Sequence, residues 1–104
     1  MEVDYNLKPY TIAKLNLSAT LFKLFTDVDD DNKQEIIRLT ENANRQYKDL
    51  LRVTHNKPKY CAYRRQIDFI TQTANKIVKG RALSDARRSR FLVTIWRLSR
   101  ALSL

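Results

Sequence analysis

Positive side chains in the last third of the chain recur at spacings that place them on one side of a helix. At about 100° per residue, positions three, four, seven or eleven residues apart share a helix face. Rows of guanidinium and ammonium groups are suited to phosphates, and an aromatic ring among them can stack on an unpaired base. The spacing therefore predicts a polyanion-binding surface. One row precedes the single glycine and one follows it, and their members are Arg65, Phe69, Gln72 and Lys76, then Arg90, Arg97 and Arg100.

Two further cations, Lys79 and Arg81, flank that glycine, Gly80, and complete the candidate set. Contacts from such side chains go to the sugar-phosphate backbone, so sequence discrimination should be weak. Six phosphate contacts would give a log–log salt slope of roughly −4 to −5. Phe69 can stack on a base or pack against a partner protein, whereas for Trp96 core packing is the preferred interpretation. The predicted nucleic-acid-binding residues are Arg65, Phe69, Lys76, Lys79, Arg81, Arg90, Arg97 and Arg100.

The charge of the chain is concentrated in its second half. The whole chain of 104 residues has a formal net charge of +9, but residues 1–50 carry −2 and residues 51–104 carry +11. Nine of the thirteen bases after residue 50 are arginines, the side chains suited to bidentate phosphate contacts. This asymmetry favours nucleic acid as the partner. A solvated basic face and docking on an acidic protein are the alternatives.

The chain is poor in residues that do catalytic chemistry. It has one histidine, one cysteine and one glycine, so neither a zinc site of protein ligands nor a glycine-rich phosphate loop can be built. The aspartates of TDVDDDNKQE alternate like the start of a calcium loop, but Asn32 stands where the loop needs glycine and Arg38 where it needs glutamate. We expect a non-enzymatic protein without metal or cofactor, in which His55 is structural or merely exposed.

Four long helices account for most of the chain. With one glycine and two prolines there are few places to turn, which favours long helices over many strands. Each predicted helix has an apolar stripe at a spacing of three and four residues, and short connections make the helices antiparallel neighbours. We therefore predict one all-α domain over 1–104, a four-helix bundle with its basic face on the third and fourth helices. The predicted helices span about 10–25, 32–54, 60–79 and 84–104.

Local signals mark the ends of these helices. Gly80 suits the left-handed residue that ends the third helix, and the Ser84 hydroxyl can cap the fourth. Asn56 is a candidate cap for the third helix, and the aspartates after Thr26 should stabilise the start of the second. The second helix also carries arginines every seven residues, which pairs such as Glu41 with Arg45 should partly neutralise.

The first helix is apolar on two sides. Its core stripe contains Leu17, Leu21 and Leu24, and a second stripe lies on the far side. A helix that is apolar on both faces must be covered on both. Either it is the central helix of the fold, or the second stripe is a docking surface for another subunit. The residues of that second stripe are Ile12, Leu15, Ala19 and Phe22.

Two features indicate where the protein works. The lone Cys61 excludes an internal disulfide and fits a reducing compartment. There is no charged and then apolar leader, and the apolar runs are only a few residues long. We expect a cytoplasmic protein that does not enter a membrane.

Taken together, these features resemble the small subunits of CRISPR effector complexes, the assemblies of antiviral defence. The resemblance lies in a small, basic, all-helical chain with arginine rows on two neighbouring helices, an apolar first helix, and a last helix, RRSRFLVTIWRLSRALSL, that reaches the final residues. It implies contact with single-stranded DNA or RNA, or with a heteroduplex backbone, and association with other subunits, among them copies of the chain itself.

Two other hypotheses fit the same residues. One is a free-standing DNA- or RNA-binding accessory protein of phage, plasmid or nucleoid type. The other is an adaptor or inhibitor whose arginine face grips an acidic protein. Binding that weakens steeply with salt would favour the nucleic-acid hypotheses.

Overall fold

The computed structural model describes residues 9–28 and 32–103, and all regular structure in these two ranges is helical. Four long helices form the bundle that the sequence predicts, and a single helical turn precedes the third of them. None of these helices is long and apolar enough to cross a bilayer. The helices are α1 (Pro9–Asp27), α2 (Lys33–Val53), α3 (Pro58–Cys61), α4 (Arg64–Val78) and α5 (Asp85–Ser103).

The four long helices form a closed ring of neighbours in the order α1, α2, α4, α5, with α5 packed against α1. The predicted apolar stripes point into the centre of this ring. Phe91 and Ile95 of α5 are fully buried there, together with leucines of α1 and α2. Burying such side chains supplies the main driving force for folding. The other core residues include Leu17, Leu21, Leu24, Ile36, Leu50, Ile67, Ile70, Ala74, Ile77, Leu98 and Leu102.

The prediction of one uninterrupted third helix is wrong, because the chain breaks after α3. The Tyr60 carbonyl accepts a hydrogen bond from the Tyr63 N–H at 3.2 Å and one from the Tyr47 hydroxyl at 2.6 Å. The buried Tyr47 side chain on α2 thus takes part in a turn that ends α3 before α4 begins. No periodicity within the third segment could reveal a partner on another helix.

Two helix ends follow the local sequence signals: the C-terminus of α4 at Gly80 and the N-terminus of α5 at Ser84. Gly80 adopts φ +75°, and the N–H groups of Gly80 and Arg81 bond the carbonyls of Ile77 and Lys76, both at 3.0 Å. This is a Schellman motif. The Ser84 hydroxyl accepts the Arg87 N–H at 3.2 Å, which confirms the predicted cap of α5.

Asn56 does not cap α3, and that prediction is wrong. Its N–H bonds the Leu51 carbonyl at 2.8 Å, so Asn56 belongs to the end of α2, and Lys57 precedes α3 instead. The aspartates predicted to cap α2 lie mostly at 29–31, outside the described residues. Asn32, at the N-cap of α2, makes no capping bond through its side chain.

Helix α1 is not the central helix. It packs against α2 and α5 through its core stripe, but its second stripe faces outward. Ile12 is 47%, Leu15 is 45% and Phe22 is 53% exposed, and Ala19 is exposed as well. The interpretation that another helix of the chain covers this stripe is therefore wrong for the described residues.

A pair of serines joins α1 to α5 inside the bundle. The Ser18 hydroxyl donates to the Ser99 carbonyl at 2.7 Å, and the Ser99 hydroxyl donates to the Ser18 carbonyl at 2.9 Å. Both side chains are buried. Small side chains with reciprocal bonds let the two helices approach closely without leaving a buried hydroxyl unpaired.

Candidate nucleic-acid interface

The basic surface of the bundle lies where α4 and α5 run side by side. Arg90 of α5 places its guanidinium carbon 4.5 Å from the ring centroid of Phe69 on α4, so the two predicted rows meet at this pair. Arg65 and Lys76 stand four residues before and seven residues after Phe69, on the same side of α4. Arg97 stands seven residues after Arg90 on α5. We name Arg65, Phe69, Lys76, Arg90 and Arg97 the basic surface.

The Phe69 ring is held between the core and Arg90. One part of it packs against the buried cluster, and the guanidinium covers one of its faces. The ring therefore serves as a platform for the cation. A base can still stack on the outer plane of the Arg90 guanidinium, as bases do on arginine planes in RNA complexes.

Arg97 lies at the edge of a shallow groove between α4 and α5. The groove is also lined by Tyr63, which precedes α4, by Gln66 of α4 and by Thr94 of α5. Arg97 itself is exposed, and the neighbouring Thr94 and Gln66 offer hydrogen-bonding groups. Gln66 and Thr94 are not predictable from the sequence, because their position in this groove depends on which helix lies next to which.

Cations of the basic surface are not neutralised by neighbouring acids. Among the described residues, no carboxylate forms an ion pair with Arg65, Lys76, Arg90 or Arg97. The three ion pairs within residues 9–28 and 32–103 lie on α1 and α2. The positive charge of these four side chains is therefore available to a ligand.

Three predicted residues lie away from this surface. Lys79 and Arg81 are exposed at the turn between α4 and α5, and Arg81 shares a groove with Lys33 of α2. Arg100 lies over the Trp96 ring at 5.0 Å, and Trp96 lines a groove with Phe25 of α1. The structure thus divides the predicted arginine row of α5: Arg90 and Arg97 flank α4, and Arg100 stacks on a ring that is turned toward α1.

Trp96 is not a core residue. It is 41% exposed, so the preferred interpretation of core packing is wrong. Trp96 lies on the side of α5 that faces α1, away from the groove of Arg97.

The arginines of α2, unlike those of the basic surface, bond to side chains on their own helix. Arg38 bonds Glu35, and Arg52 pairs with Asp49 at 3.5 Å. Arg45 donates to the Asn42 side chain at 3.0 Å, which differs from the predicted pair with Glu41. The hydrogen bond from Arg38 lowers the pKa of Glu35 below its ordinary value. The α2 face is thus partly self-neutralised.

The described residues show no constellation for catalysis or metal binding. No group of three or more His, Cys, Asp or Glu side chains among them is placed to hold a metal ion. His55 is exposed, with a positive φ of 52°, in the turn after α2.

No protein-family model, curated protein or solved structure matches this chain. The resemblance to CRISPR small subunits therefore rests on size, charge and helical character alone, and it stays a prediction.

Proposed function

We propose that the protein is a non-enzymatic helical module that binds the backbone of single-stranded nucleic acid through its basic surface. The observation that carries this proposal is the Arg90–Phe69 contact, which joins two rows of unpaired cations on adjacent helices into one surface. A guanidinium fixed on a ring keeps its donor edges available for phosphate oxygens.

The composition of the surface favours backbone contacts over base recognition. Its four cations project from two long helices that lie side by side, and the short helix in the described ranges, α3, has only four residues. Cations supply affinity that is independent of sequence, because they displace counterions from phosphates. Thr94 adds a hydrogen-bond donor that does not distinguish between bases when it goes to the backbone.

Salt-titrated fluorescence anisotropy tests the proposal. The probe is a labelled single strand of mixed sequence, about 16 nucleotides long, as DNA and as RNA. Four phosphate contacts predict a log–log salt slope of about −3, and seven predict about −5 if Lys79, Arg81 and Arg100 also take part. Affinity that is indifferent to salt, or absent below about 10 µM at low salt, would refute the proposal and favour an acidic protein partner.

A pair of charge-reversal variants locates the binding surface. Arg90→Glu with Arg97→Glu should weaken binding at least about tenfold for all sequences alike and make the salt slope shallower by about 1.4. The matched control is Arg45→Glu with Lys48→Glu on the exposed face of α2, which changes the net charge by the same amount. Equal losses in both variants would show that overall charge, and not the basic surface, determines binding. Circular dichroism checks that both variants keep their helices.

The narrower hypothesis places the chain in a larger ribonucleoprotein like the CRISPR effectors. It predicts that nucleic acid and further protein subunits co-purify with the chain from its native source at low salt. Recovery of the chain alone would contradict the assembly but would leave the anisotropy experiment unaffected.

A further inference from the structure

Exposed large apolar side chains are confined to one pair of adjacent helices. Ile12, Leu15 and Phe22 on α1 and Val93 and Trp96 on α5 are each between 41% and 53% exposed, and the described parts of α2 and α4 expose no side chain of this kind. Single exposed apolar residues are normal on a protein surface, but a contiguous face marks an interaction site. We name these five residues, with Ala19, the apolar face.

The two helices of this face run antiparallel. Ser18 of α1 bonds Ser99 of α5, and Phe25, two turns later on α1, lines a groove with Leu92, about two turns earlier on α5. The exposed residues of α1 recur every three or four positions, and Val93 and Trp96 are three positions apart. Val93 and Trp96 therefore lie beside Phe22, at one end of the exposed stripe of α1, whereas Ile12 at the other end lines a groove with Asp49 and Arg52 of α2.

The apolar face contains both a protrusion and a recess. Phe22 is the most exposed of its large side chains, at 53%. One turn away along α1, an apolar groove is lined by Phe25, Ser89, Leu92, Val93 and Trp96. A two-fold axis between the protrusion and the recess would bring each Phe22 to the groove of another copy. Such an interface is self-complementary, as a closed dimer requires.

Charges at the edge of the face do not favour an anionic membrane. Lys23 is paired with Asp27 at 3.4 Å, and Arg100 lies over the Trp96 ring. Proteins that bind anionic lipid surfaces instead surround their apolar residues with unpaired cations. In this chain the unpaired cations of the basic surface begin one helical turn from Val93 and extend toward α4, so they lie beside the apolar face and do not surround it.

The outer side of the α1–α5 pair is comparable in size to one side of a dimer interface. Helices of 19 residues are about 28 Å long, and two neighbouring helices together are about 20 Å wide. The outer side of this helix pair thus has a projected area of at most roughly 560 Å², which is of the same order as the ~800 Å² of accessible surface that each partner of a standard interface buries. Two helices packed on two helices form an ordinary four-helix arrangement.

We propose that a second copy of this chain covers the apolar face. The two copies pack α1 and α5 against each other around a two-fold axis, with Phe22 of each copy in the groove beside Trp96 of the other. The basic surfaces of both copies then remain exposed on the outside of the dimer. This inference does not depend on nucleic-acid binding.

Sedimentation equilibrium of the full chain tests the dimer. At tens of micromolar, the wild-type chain should have twice the 12.3 kDa mass of one copy. Phe22→Glu should raise the dissociation constant about a hundredfold, as expected for a central aromatic anchor. Phe22 is exposed in the single chain, so helical content should not change. The control Gln34→Glu adds a carboxylate on α2, outside the face, and should leave the mass unchanged.

A mixing experiment tests the proposed pairing. Phe22→Glu and Trp96→Arg should each weaken self-association, but an equimolar mixture should restore a dimer. In the mixed dimer, the new glutamate meets the new arginine at one contact, and the native Phe22 meets the native Trp96 at the other. Failure of the mixture to associate would overturn this pairing.

Several results would overturn the proposal as a whole. One such result is a wild-type chain that stays monomeric at tens of micromolar. Binding of that monomer to anionic vesicles or to another protein would not rescue the dimer. Open-ended oligomers would also overturn it, because a two-fold interface closes after two copies. Arg90→Glu with Arg97→Glu should leave the mass unchanged, so loss of nucleic-acid binding and loss of the dimer are distinguishable.

Discussion

Arg90 is restrained by the ring beneath it. The guanidinium lies 4.5 Å from the Phe69 centroid, and Phe69 in turn packs against the core. An arginine normally loses side-chain entropy when it binds a phosphate, and prior restraint reduces that loss. The contact thus connects core packing to affinity for a ligand.

Replacing Phe69 separates this indirect role from direct base stacking. Phe69→Leu keeps an apolar side chain but removes the ring, so Arg90 should lose a cation–π contact of about 0.5–1 kcal/mol. We expect a two- to fivefold weaker affinity for single strands, measured by anisotropy, because an Arg90 side chain without the ring loses about 0.5–1 kcal/mol more side-chain entropy on binding, at about 1.4 kcal/mol per tenfold. The control is Phe25→Leu, which makes the same replacement at a half-buried phenylalanine on α1. A loss well above tenfold would instead indicate that the ring stacks on a base.

Tyr47 links α2 to the turn after α3. Its hydroxyl donates to the Tyr60 carbonyl at 2.6 Å, and its side chain is 3% exposed. Burial raises the pKa of Tyr47 above the ordinary value of 10.0, and the Arg64 guanidinium, 5.9 Å from the ring centroid, opposes part of that rise. The neutral phenol is therefore the form that the folded chain stabilises.

The pH dependence of stability follows from this pKa. Above pH 10.0 the unfolded chain releases the phenol proton and the folded chain retains it, so the free energy of unfolding falls as pH rises toward the folded pKa. Tyr47→Phe should cost about 1 kcal/mol below that pH. Urea unfolding of both chains should show a constant difference from about pH 6 to about pH 9 and a smaller one above pH 10. A difference that grows with pH would contradict this account.

Two of the helices end in residues with a left-handed backbone conformation. Gly80 ends α4 with φ +75°, where glycine pays no steric penalty, but α2 ends in His55 and Asn56 with φ 52° and 57°. Asparagine tolerates this region better than histidine does. The two helix ends have the same geometry and different residues, so substitutions should have opposite effects.

Gly80→Ala should destabilise the fold by about 1–2 kcal/mol through backbone strain alone. A Cβ at this position would meet nothing closer than the flexible Lys33 ammonium at 3.9 Å, so steric clash contributes little. His55→Gly should instead stabilise the fold by up to about 1 kcal/mol, because it removes left-handed strain. Urea denaturation measures both. Changes of the same sign in the two variants would show that the φ values do not control these helix ends.

In the whole molecule, α5 contributes residues to two different surfaces. One side of α5 meets α4 and carries Arg90 and Arg97, and the other meets α1 and carries Trp96. The charged and the apolar residues thus occupy adjacent strips of one helix, which meet at Val93. A dimer through the apolar face would keep two basic surfaces available to one long strand.

Dimerisation should therefore increase affinity for long strands more than for short ones. A strand that reaches both basic surfaces binds the second one at high effective concentration, which can raise affinity by about 10²-fold or more. Phe22→Glu should abolish that gain on long strands but change binding to short strands little. Anisotropy on a series of strand lengths measures the difference, with Gln34→Glu as the control. Equal losses at all lengths would show that Phe22 acts on the basic surface itself.

The sequence by itself determined the features that depend on neighbours within one helix. The buried stripe of α4, Ile67, Ile70, Ala74 and Ile77, follows from a spacing of three and four residues, because side chains at that spacing share a face. The turn at Gly80 and the cap at Ser84 were also predictable, since each satisfies backbone groups a few residues away. The all-α bundle follows from these local signals and the short connections between them.

Tertiary structure decided the features that depend on which helix lies beside which. The predicted third helix is interrupted where the Tyr47 hydroxyl donates to the Tyr60 carbonyl, and Ser18 of α1 lies against Ser99 of α5. The tertiary structure also brought Arg90 to Phe69 and left Phe22 exposed. A spacing rule gives the faces of one helix but not the order of helices around the core. That order is set by how the stripes of all four helices fill a common interior.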